Sequence, residues 1–297
     1  MSPDDEGVVD DLYGALRDAR FASDLKNAKK RLAQIKAILD GYREADIFPQ
    51  LSRWHYESGF LLNIEGQYEA SISEFETSRD FAREAGRETG EIIGEFRRFL
   101  TRFNAGLVAP EQFYEELIKV RQRYQEIQRV SNEDAFLRTA NGYSIAKRIM
   151  EVTFEMNSPE FTYWAQKLLD HELMRSGLHQ ENISDLLLNV QVLARIELFN
   201  GNPKAAACIY ATYLEAKLPD FVPDSRIQQT EKISAYAHTG AEETVRDYRD
   251  FGRALSLCDA KHSRQLAKDA WQRGLQIPAG RGNLRFLNDI RRELGLS

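Results

Sequence analysis

The residues able to carry chemistry by type are five histidines, two cysteines and a scatter of carboxylates in a chain of 297 residues. Histidines ligate metals and move protons, thiolates attack or ligate, and opposed carboxylates serve as acid and base. Spacing argues against each of these. His171-Glu172-Leu173-Met174-Arg175 would be the H-E-x-x-H of a zinc protease if its fifth residue were histidine; with arginine there, a ligand is missing. His179 lies beyond Ser176-Gly177, which reads as a helix end, so it does not share a face with His171. Arg175 and His179 are also one residue too close for the Arg–His motif of helical ribonucleases. Cys208 and Cys258 have no CxxC partner and no histidine nearby in sequence, and they read as reduced thiols of a cytoplasmic protein. Adjacent carboxylates such as Glu115-Glu116 and Glu242-Glu243 fall on different faces of a helix. There is no P-loop, no G-x-G-x-x-G after a strand and no G-x-S-x-G elbow, and Gly280-Arg281-Gly282 reads as a connector. The expectation is a non-catalytic protein with no cofactor and no metal.

The elements that position these residues are helices. Val and Thr, which suit pleated sheets, supply ten residues each, whereas Ala, Leu, Glu, Arg and Gln are abundant. Pro49, Pro110, Pro159, Pro203, Pro219 and Pro223 fall between long stretches with apolar residues at spacings of three and four, as helix-starting prolines do. Leu25, Ala28, Leu32, Ile35, Ile38 and Leu39 form one such stripe, and Phe113, Leu117, Val120, Tyr124 and Ile127 another. The pattern predicts helices near 21–42, 50–64, 68–85, 88–104, 111–130, 133–156, 160–176, 180–200, 203–217, 225–238, 241–257, 263–275 and 283–294. No Ser/Gly-rich linker separates two domains, and no apolar run reaches the length of roughly 20 residues that a membrane span needs. A single domain over 1–297 is expected.

One stretch repeats. Trp54, Gly59, Leu62, Gly66, Tyr68, Ser71, Ile72, Phe75 and Ser78 resemble the tetratricopeptide-repeat (TPR) pattern, with small residues where two helices approach, a glycine at the turn and large residues in the wedge. A second, degenerate copy aligns Gly201 with Gly66, Ala194 with Gly59, Ala206 with Ser71 and Tyr210 with Phe75. Weaker echoes place further turns near 106, 157 and 260. The resemblance implies an all-α, right-handed TPR-like superhelix (an α-solenoid) of about six helical hairpins; an irregular helical bundle and HEAT-like pairs are the alternatives. It further implies a concave groove lined by the first helix of each pair. Carried onto the two clear repeats, the groove residues are Arg53, Tyr56, Phe60 and Asn63, then Gln191, Arg195 and Leu198; Arg97 joins them if the weaker third register holds.

Charge is uneven along the chain. The net charge of −6 averages an acidic start, with six acids against two arginines in residues 1–20, and a basic end, with eight cations against three acids in residues 261–297. The start reads as a partly flexible acidic terminus and the end as basic capping helices. Arg281, Arg285, Arg291 and Arg292 form a candidate basic patch for nucleic acid or an acidic protein segment. The expected role is an adaptor or regulatory subunit that binds a protein or peptide. The alternatives are a peptide- or ligand-sensing regulator of a separate effector chain, or a helical nuclease.

Overall fold

The computed structural model describes residues 1–21, 24–130, 132–178, 183–214, 245–259, 262–277 and 284–296. Fourteen α-helices are present there, in keeping with an all-α chain, with one short 3-10 turn at Glu44–Asp46 and no strand among the described residues. They are α1 (Pro3–Phe21), α2 (Leu25–Leu39), α3 (Phe48–Ile64), α4 (Tyr68–Glu84), α5 (Glu88–Asn104), α6 (Pro110–Gln128) and α7 (Glu133–Leu137). There follow α8 (Ala140–Glu155), α9 (Glu160–Leu178), α10 (Ile183–Phe199), α11 (Pro203–Tyr213), α12 (Val245–Ser256), α13 (Ser263–Gln276) and α14 (Leu284–Glu293). The helix expected near 225–238 lies outside the described residues.

A single turn type recurs between helices. Gly66, Gly86, Gly106 and Gly201 take left-handed φ of 75°, 65°, 76° and 76°. The next amide reaches back five residues: Gln67 to the Leu62 carbonyl at 2.9 Å, Arg87 to Ala82 at 2.8 Å, Leu107 to Arg102 at 2.9 Å and Asn202 to Glu197 at 2.8 Å. This is the Schellman closure, and it needs a residue that tolerates positive φ. Asn157 (φ 52°) substitutes for glycine at the equivalent turn, where Ser158 bonds Thr153 at 2.9 Å. Because α3, α4 and α5 each run 17 residues, the turns at Gly66, Gly86 and Gly106 chop the chain into equal lengths. The Gly86 turn falls in the gap between the helices expected over 68–85 and 88–104.

The helices gather into two compact units. The first holds residues 1–109 and 115–130; the second holds 110–114 and the described residues from 132 to 277 and 284 to 296. In the first unit, Val9, Tyr13 and Leu16 of α1 interleave with Ala28, Leu32, Ile35 and Leu39 of α2, and Ile47, Leu51 and Leu61 complete the cluster. The acidic terminus is therefore a helix with an apolar stripe, its acids Asp4, Asp5 and Glu6 in the first turn, where they favour the helix dipole. Between α3 and α4 small residues sit where the two helices approach. A Cβ on Gly59 would meet the Phe75 ring at 3.0 Å, and Ser71 Oγ donates to the Gly59 carbonyl at 2.7 Å. Ser52 and Ser78 donate to each other's carbonyls at 2.9 and 2.8 Å, clasping the two helices.

In the second unit, consecutive helices pack in order: α8 on α9, α9 on α10, α10 on α11, α11 on α12 and α12 on α13, with α14 on both α12 and α13. The helix predicted over 133–156 is two. Asn132 caps α7 by accepting from the Ala135 amide at 2.8 Å, and Thr139 Oγ1 caps α8 by accepting from Gly142 at 3.0 Å. Thr139 also donates to the Phe136 carbonyl at 2.8 Å, so the break is a hydroxyl competing with the backbone ladder. No helix among the described residues is long and apolar enough to cross a membrane.

Candidate functional site

Alternate helices of the first unit, α1, α3 and α5, share a face on which five of the predicted groove residues meet. The Arg97 guanidinium of α5 lies over the Phe60 ring at 5.0 Å and the Tyr56 ring at 5.9 Å, and its Nε donates to the Tyr56 hydroxyl at 3.0 Å. From α1, Arg20 lies over the other aromatic edge, 4.3 Å from the Phe60 centroid, and pairs with Glu57 at 2.7 Å. Arg53 covers the Tyr13 ring at 3.8 Å and reaches Asp10 at 2.9 Å. Asn63 donates to Thr101 Oγ1 at 2.8 Å, tying α3 to α5. Burial pushes the Glu57 carboxyl up, against the lowering effect of Arg20, Arg53 and Arg97. Among the described residues Arg97 makes no ion pair; rings and the Tyr56 hydroxyl contact its guanidinium, and the Glu57 carboxyl acts on it electrostatically.

The second unit carries a different arrangement on its alternate helices α8, α10 and α12, with α14 alongside. Arg249 of α12, fully buried, reaches Glu155 of α8 at 2.5 Å, its neighbour Asp250 at 2.7 Å and Asp289 of α14 at 3.0 Å. Arg246 pairs with Glu151 at 2.8 Å, and Arg148 reaches the same carboxylate at 2.5 Å. Arg195 of α10 donates from Nε to Asp250 at 3.1 Å and approaches Asp247 at 3.8 Å, while Gln191 one turn earlier donates to Asp247 at 3.1 Å. Phe286 of α14 lies under two guanidiniums, 4.6 Å from Arg246 and 4.5 Å from Arg249. Burial alone would raise Glu151, Glu155 and Asp250; the surrounding guanidiniums outweigh it and hold all three carboxyls below their usual range. Tyr210 of α11 is driven up by burial and by Asp250 beside it. Burial, with Arg148, Arg195 and Arg246 nearby, lowers the Lys147 ammonium to about 8 even though Glu151 opposes the shift.

The sequence-predicted sites fare differently. Arg53, Tyr56, Phe60 and Asn63 recur at helical spacing along α3, and Arg97 of α5 lies over Tyr56 and Phe60. Gln191 and Arg195 do not line an open groove: Arg195 is 1% exposed, because the two α12 aspartates draw its guanidinium into the core. Leu198 sits half-buried one turn further along α10. The residues of the basic patch differ in exposure. Arg285 is half-buried, its charge disfavoured by that burial, whereas Arg291 and Arg292 are exposed and bond Asn288 and Asp289 at 3.1 and 3.0 Å; Arg281 lies outside the described residues. His171 is buried with its ring 5.7 Å from Tyr143, and no cluster of three potential metal ligands occurs among the described residues. The buried network was missed because V-R-D-Y-R-D in α12 reads as a solvated run. Its signal was the recurrence of Arg246, Arg249 and Arg253 at helical spacing opposite Glu151 and Glu155, themselves four apart. No protein-family model matches the chain, and no curated protein sequence matches it.

Proposed function

We propose that this chain is a non-catalytic, TPR-like α-solenoid scaffold, cytoplasmic, that binds a protein or peptide partner on its α1–α3–α5 face as an adaptor or regulatory subunit. One observation carries the reading: Arg97 is held across Tyr56 and Phe60 and makes no ion pair among the described residues. A cation oriented by two rings presents its remaining N–H groups to an incoming acceptor, and aromatic residues supply contact area at little cost in rotamer entropy. A segment that sets a carboxylate beside an apolar side chain matches that pairing. The equal turns at Gly66, Gly86 and Gly106 and the serine clasps between α3 and α4 support the helical-repeat half of the reading.

Selection from a displayed random-peptide library on the full chain tests it. Enrichment of peptides that pair an acid with a neighbouring apolar residue is expected, with enrichment lost in both Arg97→Glu and Tyr56→Ala. Absence of enrichment, or enrichment indifferent to both changes, would overturn it.

A further inference from the structure

One carboxylate sits among the arginines of the α1–α3–α5 face. Glu57 of α3 pairs with Arg20 of α1 at 2.7 Å, and the two side chains are only 14% and 16% exposed. The same Arg20 guanidinium lies 4.3 Å from the Phe60 centroid, and the Arg97 guanidinium lies 5.0 Å from it. One ring therefore joins the cation that Glu57 occupies to the cation that makes no ion pair among the described residues. The charged groups acting on Glu57 are Arg17 and Arg20 of α1, Arg53 of its own helix and Arg97 of α5. Charges that α2 and α4 bring to α3 go elsewhere: Lys29 to Glu65, Lys36 to the Trp54 ring and Glu74 to His55. Glu57 is thus an acid of the chain itself, set among the cations that would receive an acid from outside.

We infer that Glu57 is an internal competitor for the partner's acid: its negative charge weakens binding of an acidic peptide on this face, and neutralising it strengthens binding. The inference rests on the peptide-binding reading and specifies its regulation. Two effects give the sign. An ionised Glu57 occupies an Arg20 N–H that an incoming carboxylate would otherwise take, and it repels a second negative charge brought up to Arg97. Burial holds the Glu57 carboxyl above its ordinary value in spite of the arginines. A peptide acid meeting Arg97 stays at or below its usual value of about 4. Mild acidification therefore neutralises Glu57 first, while the partner's acid is still charged. The face binds more tightly in that window and more weakly at neutral pH.

The test runs the displayed-peptide selection on the full native chain and on Glu57→Gln, which keeps an oxygen for Arg20 to donate to. The affinity of the most enriched acid-bearing peptide is then measured for both chains from pH 7.5 to pH 5. At pH 7.5 Glu57→Gln should bind about threefold tighter or more. The native chain should tighten as pH falls while Glu57→Gln stays nearly flat, a difference in profile that a merely structural role for Glu57 would not produce. A smaller gain, or parallel profiles in the two chains, overturns the inference and leaves the peptide-binding reading standing. Should Glu57→Gln not fold, the native profile decides, and no tightening toward pH 5 overturns it. If neither chain enriches an acid-bearing peptide, the reading and the inference fall together.

Discussion

The alternate-helix faces of the two units solve the same packing problem with opposite electrostatics. On the first, guanidiniums lie over aromatic rings and pair with carboxylates near the rim; the side chains of Arg53 and Asp10 are 49% and 66% exposed. On the second, Arg249 and Asp250 are wholly enclosed and joined to Glu155 and Asp289. Exposed pairs are screened and contribute little, whereas a buried network has no fallback, because water cannot replace a removed partner. The first face is therefore free to vary its polar residues for recognition, while the second is committed to its charges.

The largest effect expected to separate the units is acid. Glu151, Glu155 and Asp250 have folded pKa values below their unfolded ones, so the stability they give is complete above the unfolded value of about 4 and is lost as pH falls toward the folded values. Glu57 has the opposite sign. Its folded pKa is raised, so its charged form is a burden at neutral pH that acidification relieves. Asp5 and Asp24 are also held low in the first unit, but they lie at the surface, where solvent screens them. Titrated downward from pH 6, fluorescence of Trp271, whose indole donates to the Arg249 carbonyl at 3.2 Å, should change before that of Trp54, whose indole donates to Leu32 at 3.0 Å. Measured in single-tryptophan variants, the reverse order would break the contrast.

Next in size is Asp250→Ala, which removes the buried carboxylate shared by Arg195 and Arg249 and should cost about 3–5 kcal/mol in urea unfolding. A loss below about 1 kcal/mol would mean that the network is wet. Gly252→Ala sharpens the comparison by packing rather than charge. A Cβ there would lie 2.1 Å from the Trp271 indole nitrogen, so α12 and α13 must separate, at about 2–3 kcal/mol. Gly59→Ala meets the Phe75 ring at 3.0 Å and should cost less. The smallest effect is expected from Arg53→Ala, below about 1 kcal/mol despite its ion pair and its ring contact with Tyr13. A larger loss would show that the first face also depends on its charges for stability.

Much of the first unit was legible in its residues. Gly59 and the Ser71 and Ser78 positions are dictated by close approach of two helices, a local demand that leaves a local trace. α1 was not, since six acids obscured the Val9–Tyr13–Leu16 stripe, and the split at Arg138-Thr139 turned on one hydroxyl. Tyr56, Phe60 and Arg97 could be placed on one face because helical spacing fixes which side chains share a side. Arg195 could not, because whether a guanidinium faces solvent or core depends on what the neighbouring helix offers it.

The sequence by itself determined that the chain is helical and where most of its helices turn, for propensity, proline placement and left-handed glycines act within a few residues. Only the tertiary structure decided which charges are buried. Asp247 and Asp250 lie more than 50 residues from Arg195, and Arg249 lies 94 from Glu155. Whether such groups are solvated or enclosed is set by helix packing, which brings them together, and not by the residues beside them in the chain.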